Sequence, residues 1–181
     1  MITTKEKQII IMYASTPKNN KPLVEFRQDL RPGDIGTIIY LHGVLYAKEY
    51  GFDHTFEPYV AKPLAEFVKS QTARERIWIA EQVGKIVGSI AIVKSSDNEA
   101  QLRWLLLHPD VRGFGVGMAL IEEALAFCRA ANYSSVFLWT VSILTMATKL
   151  YQSVGFRKTE EKTRELWGTV LTEERYELIL K

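Results

Sequence analysis

The stretch that most restricts what this chain can fold into is QLRWLLLHPDVRGFGVGMAL, residues 101 to 120. Its first part is too apolar and too short for an independent helix, and the Pro109-Asp110 turn signal closes it, so it reads as a buried strand. Its end opens a helix. Leu120, Ile121, Ala124, Leu125 and Cys128 recur at three- and four-residue intervals, while Glu122, Glu123 and Arg129 fall on other faces. Between strand and helix stand Gly113, Gly115 and Gly117, led by Arg112. A helix start has backbone N–H groups without partners and carries partial positive charge, and glycines let the oxygens of an anion approach them. The spacing fits neither of two familiar phosphate loops. Counted from Gly113, the sixth position is Met118 where a dinucleotide fingerprint needs glycine, and no lysine follows the last glycine as a nucleoside triphosphate loop requires. Glycines that merely ease a tight turn are the plain alternative, so the rest of the chain has to decide.

The 181 residues suit one domain with a single core, and 47% hydrophobic with 24% charged residues is the make-up of a soluble globular protein. The formal net charge is +2 with Lys and Arg scattered, so no polybasic run asks for nucleic acid. The single cysteine, Cys128, lies on the apolar face of its helix, which excludes an internal disulfide and argues against a reactive thiol. A reducing cytoplasm is the plain inference. No segment approaches the roughly 18 apolar residues of a membrane span. The early QIIIM is too short and badly flanked for a secretory signal. Three histidines and one cysteine make no spacing suited to a metal.

Along the chain, residues 1–22 end in STPKNNKP and read as a tail or linker, with the main domain running over 23–181. VEFRQDL alternates as a strand, and RPGD supplies a turn with Asp34 as helix cap. A helix is expected from Ile35 to Gly51 and a second from Glu57 to Ser70, interrupted by Pro63. RIWIAEQ and KIVGSIAIVKS form a hairpin turning at Val83-Gly84. After the glycine loop and its helix come the strand SSVFLWTV, a helix from Leu144 to Ser153 closed by Gly155, and two strands at FRKTEEK and ERYELIL. This order of strand, two helices, three strands, helix, strand, helix and two strands is an α/β layering around one mixed sheet.

At this point the chain resembles the GNAT superfamily of N-acetyltransferases. The resemblance runs from about Val24 to the end and rests on LLLHPDVRGFGVGMAL, similar to the family's strand and pyrophosphate loop, and on ATKLYQSVGF, residues 147–156, similar to its penultimate helix and following strand. More narrowly, GDIGTIIYLHGVLYAKEYGFD and FLWTVSILTMATKLYQSVGF look like the acetyltransferase half of fusions with a MarR-type regulator, although the leader before Leu23 is too short for a winged helix. The resemblance implies a mostly antiparallel central sheet flanked by helices and acetyl-CoA as acyl donor. It gives the diphosphate to Arg112, Gly113, Phe114, Gly115, Val116, Gly117 and Met118, and the pantetheine arm to the main chain of Leu105, Leu106 and Leu107. An oxyanion would meet a main-chain N–H near Leu107, and Tyr151 would give a proton to the departing thiolate. Buried tyrosines with a tied hydroxyl are the ordinary alternative for Tyr151.

The family pattern has Asn three residues before the alanine matching Ala147; this chain has Leu144, with Ser142 or Thr145 left to replace one cofactor contact. Glu99 is the candidate general base acting through water, though a carboxylate at a strand end is more often a surface group. The resemblance places the acceptor site around the segment between the first two helices, with Tyr46, Glu49, Tyr50, Phe52 and Asp53 as candidates and His54 beside them. His42 shares the apolar stripe of the first helix and reads as a core histidine, and His108 as part of its turn. Tyr46, Tyr50, Phe52, Trp78, Trp104 and Trp139 are aromatic enough to line a pocket, and core packing explains most of them equally well. The leading expectation is an enzyme that acetylates a primary amine on a small molecule or a protein, with a homodimer among the open oligomeric states. Its rival is a noncatalytic acyl-CoA sensor or docking module.

Overall fold

The computed structural model describes residues 22–180, so the expected tail over 1–22 falls almost wholly outside the described residues. Seven strands, β1 (Glu25–Arg27), β2 (Arg76–Gln82), β3 (Lys85–Lys94), β4 (Glu99–Leu107), β5 (Ser135–Val141), β6 (Arg157–Leu166) and β7 (Thr169–Ile179), form one sheet ordered β1-β2-β3-β4-β5-β7-β6. Neighbours are antiparallel except β4 beside β5, the one pair that needs a crossover, and the helix α3 (Val116–Ala130) supplies it. The mixed, mostly antiparallel sheet expected above is therefore the one observed.

Alternation along the strands divides the core into two layers. Trp78, Ala80, Ile90, Ile92, Val136 and Leu138 meet Leu120, Ile121, Ala124 and Cys128 of α3 and Tyr151 of α4 (Thr145–Ser153). Ile77, Ile79, Ala91 and Leu171 turn the other way, toward Ile38 of α1 (Asp34–Tyr50) and Val60, Leu64 and Phe67 of α2 (Phe56–Ser70). β3 is buried on both faces, which is why its sequence is a nearly continuous apolar run. Cys128 is fully buried, and burial pushes its thiol up to about 12, the inert state expected of it.

The order of elements is as read from the sequence, and the differences have local causes. β1 ends at Arg27 because that guanidinium turns inward. It bonds both carboxylate oxygens of Asp34 at 2.7 and 2.8 Å and reaches Glu81 at 3.0 Å. Asp34 is thus a buried first-turn acid, not the cap; Gly33, at φ 96°, stands before the helix with no side-chain cap. Pro63 lies inside α2 without ending it. The last two strands are longer than expected, joined by the two-residue turn Trp167-Gly168, with positive φ at both residues as at Val83-Gly84.

Candidate active site

β4 and β5 pair only from Glu99↔Ser135 to Gln101↔Phe137, yet β4 continues to Leu107 and β5 to Val141. Beyond Gln101 they part. The cause lies on the other edge of β4. Leu107 and Leu106 pair with Gly88 and Ser89, but Arg103 pairs with Ala91, so Ile90 alone faces both Trp104 and Leu105. This is a β-bulge, and Trp104 adopts φ 51°, a conformation that costs a bulky residue of order 1–3 kcal/mol. The bulge also reverses which face each residue meets. Ala100 and Leu102 join the core under α3, whereas Trp104 packs with Phe67 of α2 and Leu106 with Leu41 and Leu45 of α1. Ser89, fully buried on β3, donates its hydroxyl to the Trp104 carbonyl at 2.8 Å and pins the bulge.

At the far end of β4 a single 3₁₀ turn (Pro109–Val111) leads into the glycine loop. Gly113 and Gly115 have φ of 80° and 84°, and a Cβ at either would meet no atom within 4 Å. Their task is conformational: they open a bare concavity. Gly117 differs, because its Cβ would stand 3.0 Å from Leu107 and Leu150, so it permits close packing of the helix start. The N–H groups from Gly113 to Met118 donate to no carbonyl among the described residues, whereas Ala119 begins the helical ladder on Gly115. Consecutive unsatisfied amides at a helix N-terminus, around a space free of side chains, fit a diphosphate. The exposed Phe114 projects from this loop. Arg112, expected to bind phosphate, is bonded bidentately to Glu49 at 2.7 and 2.9 Å and through Nε to the Leu107 carbonyl at 2.9 Å. The Glu49 carboxylate raises its pKa further. Two of its five N–H groups stay free for an anion.

The gap between β4 and β5 opens into a cavity of about 120 Å³. Leu102, Arg103, Trp104 and Leu105 form one wall and Trp139, Thr140 and Val141 the other. Tyr46, Phe52, Phe56 and Tyr59 cover it from α1, α2 and the loop between them; Ala147 and Tyr151 of α4 close it with Leu144 just before that helix, and Trp167 from the β6–β7 turn. Phe52, Phe56 and Tyr59 hold Trp167 with ring centroids 4.7 to 4.9 Å apart. Tyr151 is 6% exposed, and burial, with Tyr46 nearby, raises its hydroxyl far above the ordinary phenol range. At neutral pH it is a protonated donor that cannot serve as a base. His42 also lines the cavity; its Nδ1 lies 2.8 Å from the Ile38 carbonyl, and burial lowers its pKa to about 4.

Of the acceptor-side candidates, Tyr46 and Phe52 reach this cavity. Tyr50 packs at a tilt against both without lining it, Glu49 is bonded to Arg112, and Asp53 is bonded to Thr55 while its N–H docks on the Trp167 carbonyl. Glu99 requires a correction. It does not line the cavity, which begins two residues on at Gln101, and its carboxylate is turned to Arg175 at 2.9 Å. Ser142 and Thr145 are exposed and do not line the cavity, where Leu144 stands instead. Sequence reasoning missed Arg103, Glu173, Tyr59 and Trp167. A charged residue inside the otherwise apolar run LRWLLL was the available signal for Arg103.

Residues 39–156 match the model of the acetyltransferase (GNAT) family. Human N-acetyltransferase 8B is 34% identical over 99 residues, which cover 52% of this chain and 44% of that protein. Zebrafish (Danio rerio) N-acetylaspartate synthetase is 36% identical over 85 residues, 46% of this chain and 30% of that protein. The chain therefore matches less than half the length of these curated relatives. Among solved structures, the acetyltransferase yncA of Salmonella typhimurium, determined with acetyl-CoA, superposes with a TM-score of 0.69 at 19% identity, covering 87% of this chain and 94% of that one. At that identity the likeness is one of fold.

Proposed function

This chain belongs to the acetyltransferase (GNAT) family, and from that premise we propose that its domain, residues 23–181, moves acetyl from acetyl-CoA to a primary amine by direct attack. The observation that carries the reading is the parting of β4 from β5 into a cavity lined by Tyr151, with the glycine loop following the end of the same β4 strand. Human N-acetyltransferase 8B and zebrafish N-acetylaspartate synthetase, both named for N-acetyl transfer, support it.

Acetyl-CoA supplies the acetyl thioester. The amides of Gly113 to Met118 would hold its diphosphate, with Arg112 adding charge at the edge of the loop. The unpaired edge of β4 around Leu105, Leu106 and Leu107 offers main-chain groups to the pantetheine amides as a further strand would. A main-chain N–H of the same stretch, left without a β5 partner, would receive the oxyanion. A neutral amine attacks the carbonyl and forms the new C–N bond, which generates that oxyanion; its collapse breaks the C–S bond, the amine's surplus proton leaves to solvent, and Tyr151 gives its proton to the departing sulfur and regains one from solvent. Burial acts on the two partners in opposite senses: it raises the proton affinity of the departing thiolate, which favours the transfer, and that of the phenolate, which keeps Tyr151 protonated until the sulfur leaves.

The test is a Tyr151→Phe variant with acetyl-CoA binding measured by calorimetry and transfer measured by release of free thiol. Turnover is expected to fall roughly 10²- to 10³-fold with acetyl-CoA affinity within about twofold of wild type. Equal turnover would remove Tyr151 from the chemistry. Failure of the wild type to bind acetyl-CoA would remove the whole reading.

A further inference from the structure

Charge in the acceptor half of the cavity is lopsided. Around the mouth between Tyr59 and Trp139, Arg103, Lys162 and Arg164 face a single carboxylate, Glu173. Glu173 is 7% exposed and is engaged by Arg164, whose Nε and a terminal nitrogen both lie on its Oε2. Arg103 has no such partner. It makes no hydrogen bond or ion pair with any described residue, and its guanidinium lies over Trp104, 4.9 Å from the ring centroid. Burial lowers its pKa, with Tyr59 opposing the shift, as for a cation held partly out of water without an anion.

Arg103 precedes the bulge and, paired with Ala91, keeps the face that regular alternation gives it. Neighbours on a regular strand point to opposite faces, but the left-handed turn at Trp104 brings Trp104 to the same side, so both line one cavity. One local irregularity thus opens the cleft beside Leu105 and sets the Trp104 ring under a free guanidinium. A planar fork of N–H donors matches a carboxylate bidentately, and partly buried donors left unpaired are costly. The surfaces around it, Phe52, Phe56, Tyr59, Trp139 and Trp167, suit a flat apolar body.

We propose that the acceptor is an amine that also bears a carboxylate, of the class of apolar or aromatic α-amino acids, and that Arg103 is the residue that binds the carboxylate. The proposal rests on the acetyl-transfer reading above. Its test uses matched acceptors: L-phenylalanine, L-phenylalaninamide and phenethylamine, and in parallel L-leucine, L-leucinamide and isoamylamine. Acetylation is followed as kcat/KM, and binding to the CoA-saturated protein by calorimetry. The carboxylate member of each series is expected to be preferred by about 10- to 100-fold. Arg103→Met should collapse that ratio toward one, and Arg103→Lys, which keeps the charge without the fork, should restore part of it. Acetyl-CoA affinity equal to wild type shows that both variants are folded.

Transfer to the amines without a carboxylate preference, or a preference that survives in Arg103→Met, overturns the inference and leaves the transferase reading standing. A carboxylate preference in binding, lost in Arg103→Met but with no acetyl transfer, supports the role of Arg103 and overturns the transferase reading. Neither transfer nor a preference in binding overturns both.

Discussion

His42 permits a prediction whose size follows from its surroundings. The ring is 3% exposed on the inner side of α1, stacked on Tyr46 with centroids 5.8 Å apart, and Nδ1 lies 2.8 Å from the Ile38 carbonyl. A carbonyl can only accept, so Nδ1 holds the proton of the neutral ring and Nε2 keeps its lone pair. No carboxylate among the described residues bonds the ring, and burial lowers its pKa from 6.5 to about 4. Between those values the unfolded chain binds a proton that the folded one refuses, so stability rises with pH across the window and is lost as pH falls through it. At 1.36 kcal/mol per unit, the loss is about 2 kcal/mol at pH 5 and approaches about 3 kcal/mol near pH 4. Urea unfolding of wild type and His42→Asn from pH 7.5 down to 4.5 isolates this contribution. Asp34, whose pKa Arg27 lowers against the effect of its own burial, also loses stability in acid. It does so equally in both proteins and cancels in the difference. Wild type should be more stable at pH 7.5 and should lose that advantage by pH 5. A difference that stays flat across the range would refute the reasoning, because it would mean that the imidazolium is accommodated in the folded protein.

Gly115→Ala places a Cβ in open space at φ 84°, so its cost is purely conformational, about 1–2 kcal/mol in denaturant unfolding. Acetyl-CoA affinity should fall with it, and unchanged values for both would show that the loop is not held in the left-handed form. Ser89→Ala leaves the buried Trp104 carbonyl without its 2.8 Å donor, so unfolding should show a loss of about 1–3 kcal/mol. If the bulge shapes the site, acetyl-transfer turnover falls as well; full turnover would show that the bulge holds without this hydrogen bond. Glu49→Gln removes a carboxylate that competes with phosphate for Arg112, so acetyl-CoA binding measured by calorimetry should tighten about two- to fivefold at low salt, and less at high salt. Weaker binding would make the pair a support for the loop instead of a competitor.

The parts of the fold legible in the sequence are those whose cause is local. Helix α3 shows its three-four spacing of apolar residues, β2 and β3 show a hairpin at Val83-Gly84, and the glycine loop announces a helix start open to an anion. The insertion of β7 between β5 and β6 has no such signature, because it is decided by which strand edges remain free once the helices have packed. The Trp167-Gly168 turn was hidden for a related reason. Tryptophan is a poor choice for φ 49° on propensity alone, but its ring there covers Phe52, Phe56 and Tyr59, and burial of that cluster outweighs the local cost.

The candidate site divides along the same line. Gly113, Gly115 and Tyr151 stand in short motifs that can be read directly. The engagement of Arg112 by Glu49 joins residues 63 positions apart and could be known only from the packed ends of α1 and the loop. The bulge is harder still, because LRWLLL is compatible with either face assignment at every position, and one added residue reverses all those that follow. What the sequence does hold is a conflict. In a strand read as buried on both faces, a regular pleat would drive Arg103 into the core. A chain in which every local choice agrees with the fold would not place a guanidinium there without either a partner or a departure from the pleat. The structure shows the departure, at Trp104 directly after Arg103, and the cavity that both residues line. A charged side chain in a run otherwise apolar is therefore a signal of irregular backbone, and it falls where a binding site needs both the irregularity and the charge.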